Sequence, residues 1–320
     1  MFDNFYGLTG KPFQLTPDPA FYFRSGTHRK ALSYLGYGLA QGEGFIVVTG
    51  EVGAGKSTLV AHLVGTIDPE RVTVGQVVTS NLDDDEIVHV VAQSFGLDIE
   101  GHDKASALGA IEGFLHEEAR AGRRCLLIVD ESQNLAIDAL EELRMLSNFQ
   151  LGNHPLLQTL LLGQPEFRTT LQTSEELEQL RQRVIAAHHL EPMEKGEIEP
   201  YMIHRLEKVG YSGNPAFDQR VFAELYEASG GIPRRVNQIA NRLLKTVPIR
   251  PWRFTAADYR RALGIEAERP ALGDRPVAAL WDSDLAAAMA GAGVAVEEET
   301  VLEELLGDLE GASPGSVKRC

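Results

Sequence analysis

The chain has 320 residues, 43% hydrophobic and 24% charged, which are the values of an ordinary folded protein rather than a disordered or fibrous one. Its 46 acidic residues against 30 Lys and Arg leave a net charge of −16, which argues against a bulk electrostatic grip on nucleic acid or anionic lipid. Half of that excess lies in residues 265–320, where twelve acids face four bases. Two cysteines, Cys125 and Cys320, cannot build a disulfide framework and suit a reducing compartment. The first residues, MFDNFYGLTGKPF, lack the basic-then-apolar order of a signal peptide. Residues 277–296 carry Asp282 and Asp284 mid-span, a poor transmembrane helix. The expected location is therefore cytoplasmic.

In chain order, residues 45–50 (FIVVTG) form an apolar, β-branched run ending at glycine, which predicts a strand buried on both faces. A second strand is expected at 72–80. Asp83, Asp84 and Asp85 then open a helix, as cap and solvated first turn rather than as a metal site. Residues 105–121 read as an amphipathic helix and 125–129 (CLLIV) as a third buried strand. A helix at 136–146, a strand at 159–162, two short helices and a strand at 184–190 follow. Alternating strands and helices imply a parallel sheet covered on both faces. After Pro192 only helical spacing remains, at 195–209, 215–229, 231–246 and 255–263. The expected architecture is an α/β nucleotide-binding domain over 1–192 with a leader at 1–44, a helical lid over 193–263, and an acidic, low-order tail over 264–320.

The chemistry concentrates after the first strand. Gly50-Glu51-Val52-Gly53-Ala54-Gly55-Lys56-Ser57 fits G-x-x-x-x-G-K-[ST] between a buried strand and a helix, with Thr58 next in line. Glycines let the amides turn inward around phosphate oxygens, and the following helix aims its positive end at the same anion. Lys56 is expected to reach the β- and γ-phosphates of ATP, and the Ser57 hydroxyl to ligate Mg²⁺. The third strand ends in Asp130-Glu131, beside the crevice at the carboxyl ends of parallel strands. Asp130 can hold Mg²⁺ and Glu131 can polarise the attacking water. A kinase has no need of the second acid, so the pair leans toward hydrolysis. Gln164 is expected to emerge between the first and third strands, near the γ-phosphate, with Asn148 competing for that role.

With these residues assembled, the chain resembles the AAA+ ATPases of the general secretion pathway A (ExeA-like) family, and within it the ATPases that accompany exosortase and exopolysaccharide export. The likeness includes Tyr6-Gly7-Leu8, Pro12-Phe13, Pro17-Asp18-Pro19, Gly163-Gln164-Pro165-Glu166-Phe167, Leu180-Arg181-Gln182-Arg183-Val184, Tyr201 with His204-Arg205-Leu206, and Gly230-Gly231-Ile232-Pro233-Arg234-Arg235-Val236-Asn237. It implies an AAA+ P-loop fold and Arg234 as a sensor arginine reaching the γ-phosphate from the helical lid. It implies Arg181 or Arg183 as a finger acting on a neighbouring subunit's ATP, hence a homo-oligomer with ATP at its interfaces. The leader, residues 16–23 with Thr27-His28-Arg29, is implied to pack by adenine. Export-machinery components are the implied partners, with recruitment to the inner membrane through them.

Two other readings compete. Transposition and replication-initiation ATPases share this architecture, and Arg205, Arg234, Arg235, Arg242 and Lys245 would make a basic face for nucleotide-gated DNA binding. A non-hydrolysing scaffold is the third, and Asp130-Glu131 speaks against it. His188-His189 reads as a core or interface pair, and Cys125 as a small buried hydrophobe. In the tail, Val301, Leu302, Leu305, Leu306 and Leu309 recur at helical intervals opposite acids.

Overall fold

The computed structural model describes residues 6–78, 82–246, 253–255 and 259–260. The tail, its Val301–Leu309 stripe and most of the helix expected at 255–263 lie outside the described residues. Five strands make one parallel sheet: β1 (Phe45–Gly50), β2 (Val72–Val78), β3 (Arg124–Asp130), β4 (Leu157–Gly163) and β5 (Val184–Leu190), in the spatial order β2-β3-β4-β1-β5. Every residue of β1 and β4 is buried, as expected of interior strands covered on both faces. The outer strands β2 and β5 mix buried with exposed positions.

The longer helices are α1 (Gly26–Gln41), α2 (Lys56–Thr66), α3 (Asp84–Ser94), α4 (Lys104–Arg120), α5 (Ile137–Leu146) and α6 (Pro165–Thr173), followed by α7 (Ile198–Glu207), α8 (Gln219–Ser229) and α9 (Pro233–Thr246), with a single turn at Glu178–Arg181. Strand pleating sorts the core. Phe45 and Val47 join Leu127, Val129 and Leu161 under α3, α4 and α5. Ile46 and Val48 point the other way, joining Leu126, Ile128, Leu160 and Leu162 under α1 and α2. Asp83 caps α3 in a capping box with Glu86, and Lys104 ion-pairs with Asp84, Asp85 and Glu142. The acidic triplet is thus a helix start, as its sequence implies.

Three features depart from the sequence reading. The leader contains the 16-residue helix α1, whose Gly36 and Gly38 hide it from propensity. A short antiparallel hairpin, Gln150–Leu151 with His154–Pro155, precedes β4, and a two-residue parallel pair, Ala216–Phe217 with Arg253–Phe254, interrupts the expectation of helices alone after Pro192. The start of the leader also packs away from the sheet. Tyr6, Leu8 and Phe13 are buried with Ile198, Tyr201, Val221 and Leu243 in the core of the helical region. The sheet and the helical region are therefore laced together by the chain's own beginning.

Candidate nucleotide-binding site

Strand order places the chemistry. Because β4 lies between β3 and β1, the carboxyl ends of these three strands deliver the phosphate loop, the acidic pair and Gln164 to one crevice. A cleft of about 170 Å³ there is lined by Val52, Gly53, Gly55, Lys56, Ser57, Thr58 and Glu131 from the sheet domain, and by Pro233 and Arg234 from α9.

The loop from Gly50 to Gly55 turns on glycine conformations. Gly53 and Gly55 have φ of 85° and 105°. A Cβ on Gly53 would stand 2.4 Å from the Arg234 Cβ, and one on Gly55 would stand 2.7 Å from the His28 Nε2. Helix α2 begins at Lys56, so its positive end faces the loop. The Lys56 ammonium donates to the carbonyls of Gly50 at 2.6 Å and Glu51 at 3.2 Å. Burial lowers its pKa, while Glu131, Asp130, Glu51 and Glu166 oppose that and favour the charged form.

The Ser57 hydroxyl donates to the Asp130 carboxylate at 2.9 Å. A hydroxyl and a carboxylate oxygen meeting at a phosphate loop is a donor set that suits Mg²⁺, a hard cation. Glu131 follows with φ of 55°, the one non-glycine residue among those described with positive φ. Its Oε2 accepts from the Gln133 amide at 2.5 Å and the Gln164 amide at 3.1 Å. Burial pushes the Glu131 carboxyl up, but these two amides and the Lys56 charge outweigh it, so its pKa falls below the ordinary value. An ionised carboxylate with fixed orientation is what water activation needs. Gln164 leaves β4 between β1 and β3, and its own backbone N–H donates to the Gln133 Oε1 at 3.0 Å. Gln133 thus orients both, and sequence reasoning missed it. Its only signal was its place in the turn immediately after Asp130-Glu131.

The remaining candidates divide. Arg234 stands in the first turn of α9 with its N–H donating to the Gly53 carbonyl at 3.2 Å, so the helical region touches the phosphate loop directly. The leader segment does line the cleft, through Thr16, Pro17, Phe21, Tyr22, Phe23 and His28, facing Tyr201 and Asn237. Arg181 and Arg183 lie at the other end of the sheet, before the first residue of β5. The Arg181 Nη1 donates to the carbonyls of Leu171, Gln172 and Ser174, closing the end of α6, while Arg183 donates to the Ser147 Oγ at 2.8 Å. Asn148 sits in the same far recess as Arg183 and Gly44, so it does not compete with Gln164.

Arg205 corrects the expected basic face. It is 7% exposed, donates to the carbonyls of Pro12 at 2.7 Å and Gln14 at 3.3 Å, and lies 4.7 Å from the Phe21 ring centroid. It holds the leader rather than facing solvent. His188 stacks on Tyr34 and His189 meets the Thr49 hydroxyl at 2.9 Å, so each has a structural partner. Burial pushes the Cys125 thiol up to about 12, an inert group. Among the described residues no cluster of His, Cys, Asp and Glu has metal-binding geometry, and no helix is long and apolar enough to cross a membrane.

The parallel sheet, phosphate loop, acidic pair and helical region give the chain an AAA-type P-loop ATPase fold. Residues 39–171 match the AAA domain family, and residues 233–309 match a family described as the C-terminus of a protein of unknown function. The chain is a homologue of the general secretion pathway protein A of Aeromonas hydrophila, 35% identical over 248 residues that cover 76% of the chain. It spans 44% of that relative's length. In fold it is similar to the ADP-bound ORC2 protein of Aeropyrum pernix, with a TM-score of 0.58 and 16% identity over 79% of this chain and 71% of that one. It is similar also to Cdc6p of Pyrobaculum aerophilum, with a TM-score of 0.56 and 16% identity over 72% of this chain and 65% of that one.

Proposed function

We propose that this chain binds Mg·ATP, hydrolyses it in an oligomer, and uses the cycle to energise or regulate an envelope secretion system. The observation that carries the reading is the convergence of Lys56, the Ser57–Asp130 pair and an ionised, clamped Glu131 in one cleft. In that arrangement the loop amides and Lys56 hold the β- and γ-phosphates, while Ser57 and Asp130 hold Mg²⁺. The metal, when bound, neutralises charge on the phosphate oxygens. Glu131 accepts the proton of the attacking water, and the Gln164 amide helps fix that carboxylate. Arg234 approaches the phosphates from α9.

Arg183 is the favoured finger candidate, because it gives one hydrogen bond within its own subunit, to Ser147, where Arg181 gives three. Acting on the ATP of a second copy, Arg183 makes turnover depend on assembly. The likeness to general secretion pathway protein A supports a role in secretion, at the cytoplasmic face of the inner membrane through partners. Export of an exopolysaccharide is the finer reading, supported by the sequence resemblance alone.

The test is steady-state phosphate release across protein concentration. Specific activity is expected to climb with concentration for wild type and to stay at least about a hundredfold lower for Arg183→Ala at every concentration. A specific activity independent of concentration, or an Arg183→Ala variant with wild-type turnover, contradicts the trans-acting role. Salt-dependent binding of duplex DNA by the ATP-loaded protein would favour the DNA-regulator reading instead.

A further inference from the structure

The first turn of α1 touches the phosphate loop at a place the proposed hydrolysis does not use. His28 is 5% exposed and Ser25, which caps the helix, is fully buried. The Ser25 Oγ accepts from the His28 backbone N–H at 3.3 Å and lies 2.6 Å from the His28 Nδ1. The ring's hydrogen bond to the Gly55 backbone favours a protonated nitrogen there, so the proton sits on Nε2 and Ser25 donates to Nδ1. That nitrogen faces Gly55, where only a glycine leaves room for the ring. The neutral imidazole is therefore satisfied on both sides. Burial drives its pKa down to about 4, against a backbone hydrogen bond at Gly55 and the charge of Glu197.

The same helix start is tied to the helical region. The Gly26 N–H donates to the Glu197 Oε1 at 2.7 Å, and the other oxygen of that carboxylate accepts from the Glu194 N–H at 2.9 Å. Along the chain from Glu194, the N–H of Met193 donates to the Gly231 carbonyl at 3.0 Å, just before α9. From α9 the Arg234 N–H returns to Gly53. The two positive-φ glycines of the loop are thus held from two sides, Gly53 by the first turn of α9 and Gly55 by the first turn of α1.

We propose that His28 is a positioning residue of the phosphate loop: it braces Gly55, and Glu197 couples that brace to the helical region, so the seating of the helical region is felt at the phosphates. The proposal rests on the ATP-binding reading above. It touches neither the reacting atoms nor the metal ligands, so its effect falls on nucleotide affinity.

The experiment compares wild type, His28→Asn, His28→Gln and Glu197→Ala by equilibrium binding of fluorescent ATP and ADP analogues, with the Tm of each unliganded protein. Asn keeps a partner for Ser25 but is too short to reach Gly55; Gln reaches about as far as the Nε2. His28→Asn is expected to bind ATP about tenfold more weakly with Tm within about 3 °C of wild type, the loss of one positioned hydrogen bond. His28→Gln is expected to recover to within about threefold of wild type, and Glu197→Ala to weaken ATP binding about threefold from outside the loop. Wild-type affinity in His28→Asn overturns the proposal. So do two His28 variants that lose Tm and affinity together without rescue, which is the signature of packing alone. Those outcomes leave ATP binding by wild type intact; a wild type that binds no ATP contradicts the nucleotide reading itself.

Discussion

At the scale of residues, Glu131 carries the clearest departure from relaxed geometry. A φ of 55° costs a non-glycine residue on the order of 1 kcal/mol, and the Gln133 and Gln164 amides hold the carboxylate that this conformation presents. His28 is the other residue held away from its ordinary state, and its titration has a definite sign. Its folded pKa of about 4 lies below the unfolded value of 6.5, so the contribution is complete above pH 6.5 and is lost as pH falls toward 4. For a group this buried the shift amounts to about 3 kcal/mol, so the stability of wild type should fall relative to His28→Gln across that window, measured by urea unfolding. Parallel pH profiles would refute it. The lysine, serine and acids of the cleft were legible in the sequence because their chemistry requires fixed spacing after a strand. Gln133 and the strain at Glu131 were not, because a backbone angle and a partner 31 residues away in chain, such as Gln133 has in Gln164, are set by the folded sheet.

At the scale of elements, α1 shows how packing overrides propensity. Gly38 reads as a helix breaker, yet a Cβ there would lie 2.7 Å from the Ile46 side chain, so glycine is what lets α1 lie against β1. Gly38→Ala should therefore destabilise by about 1–2 kcal/mol despite its better helix propensity, read by urea unfolding; a stabilised variant would contradict the close approach. The strands and α2 to α6 were legible because burial on one or both faces writes its own period. The seat of Arg205 was not, since nothing in its neighbourhood distinguishes a surface arginine from one drawn under a returning leader. Arg205→Met should cost about 2–3 kcal/mol through the lost bonds to Pro12 and Gln14 and the lost ring contact. It should also expose the leader to limited proteolysis before the sheet domain is cut. An unchanged Tm with a protected leader would show that the arginine does not hold it.

At the scale of the molecule, the leader ties the sheet to the helical region. Its first residues complete the core of the helical region, its middle lines the cleft, and its helix braces the phosphate loop. The acidic excess is concentrated in residues 265–320, so the body that carries the cleft is only moderately negative. The hydrolytic reading of the chain depends on one property of that cleft, the separation of nucleotide binding from water activation. The most direct measurement is a paired assay on Glu131→Gln, with equilibrium ATP binding beside steady-state phosphate release. ATP affinity is expected to stay within about threefold of wild type while turnover falls by about a hundredfold or more, the range for loss of a general base. Undiminished turnover, or binding and turnover lost together, would contradict the assignment of Glu131 and with it the hydrolytic account of the site.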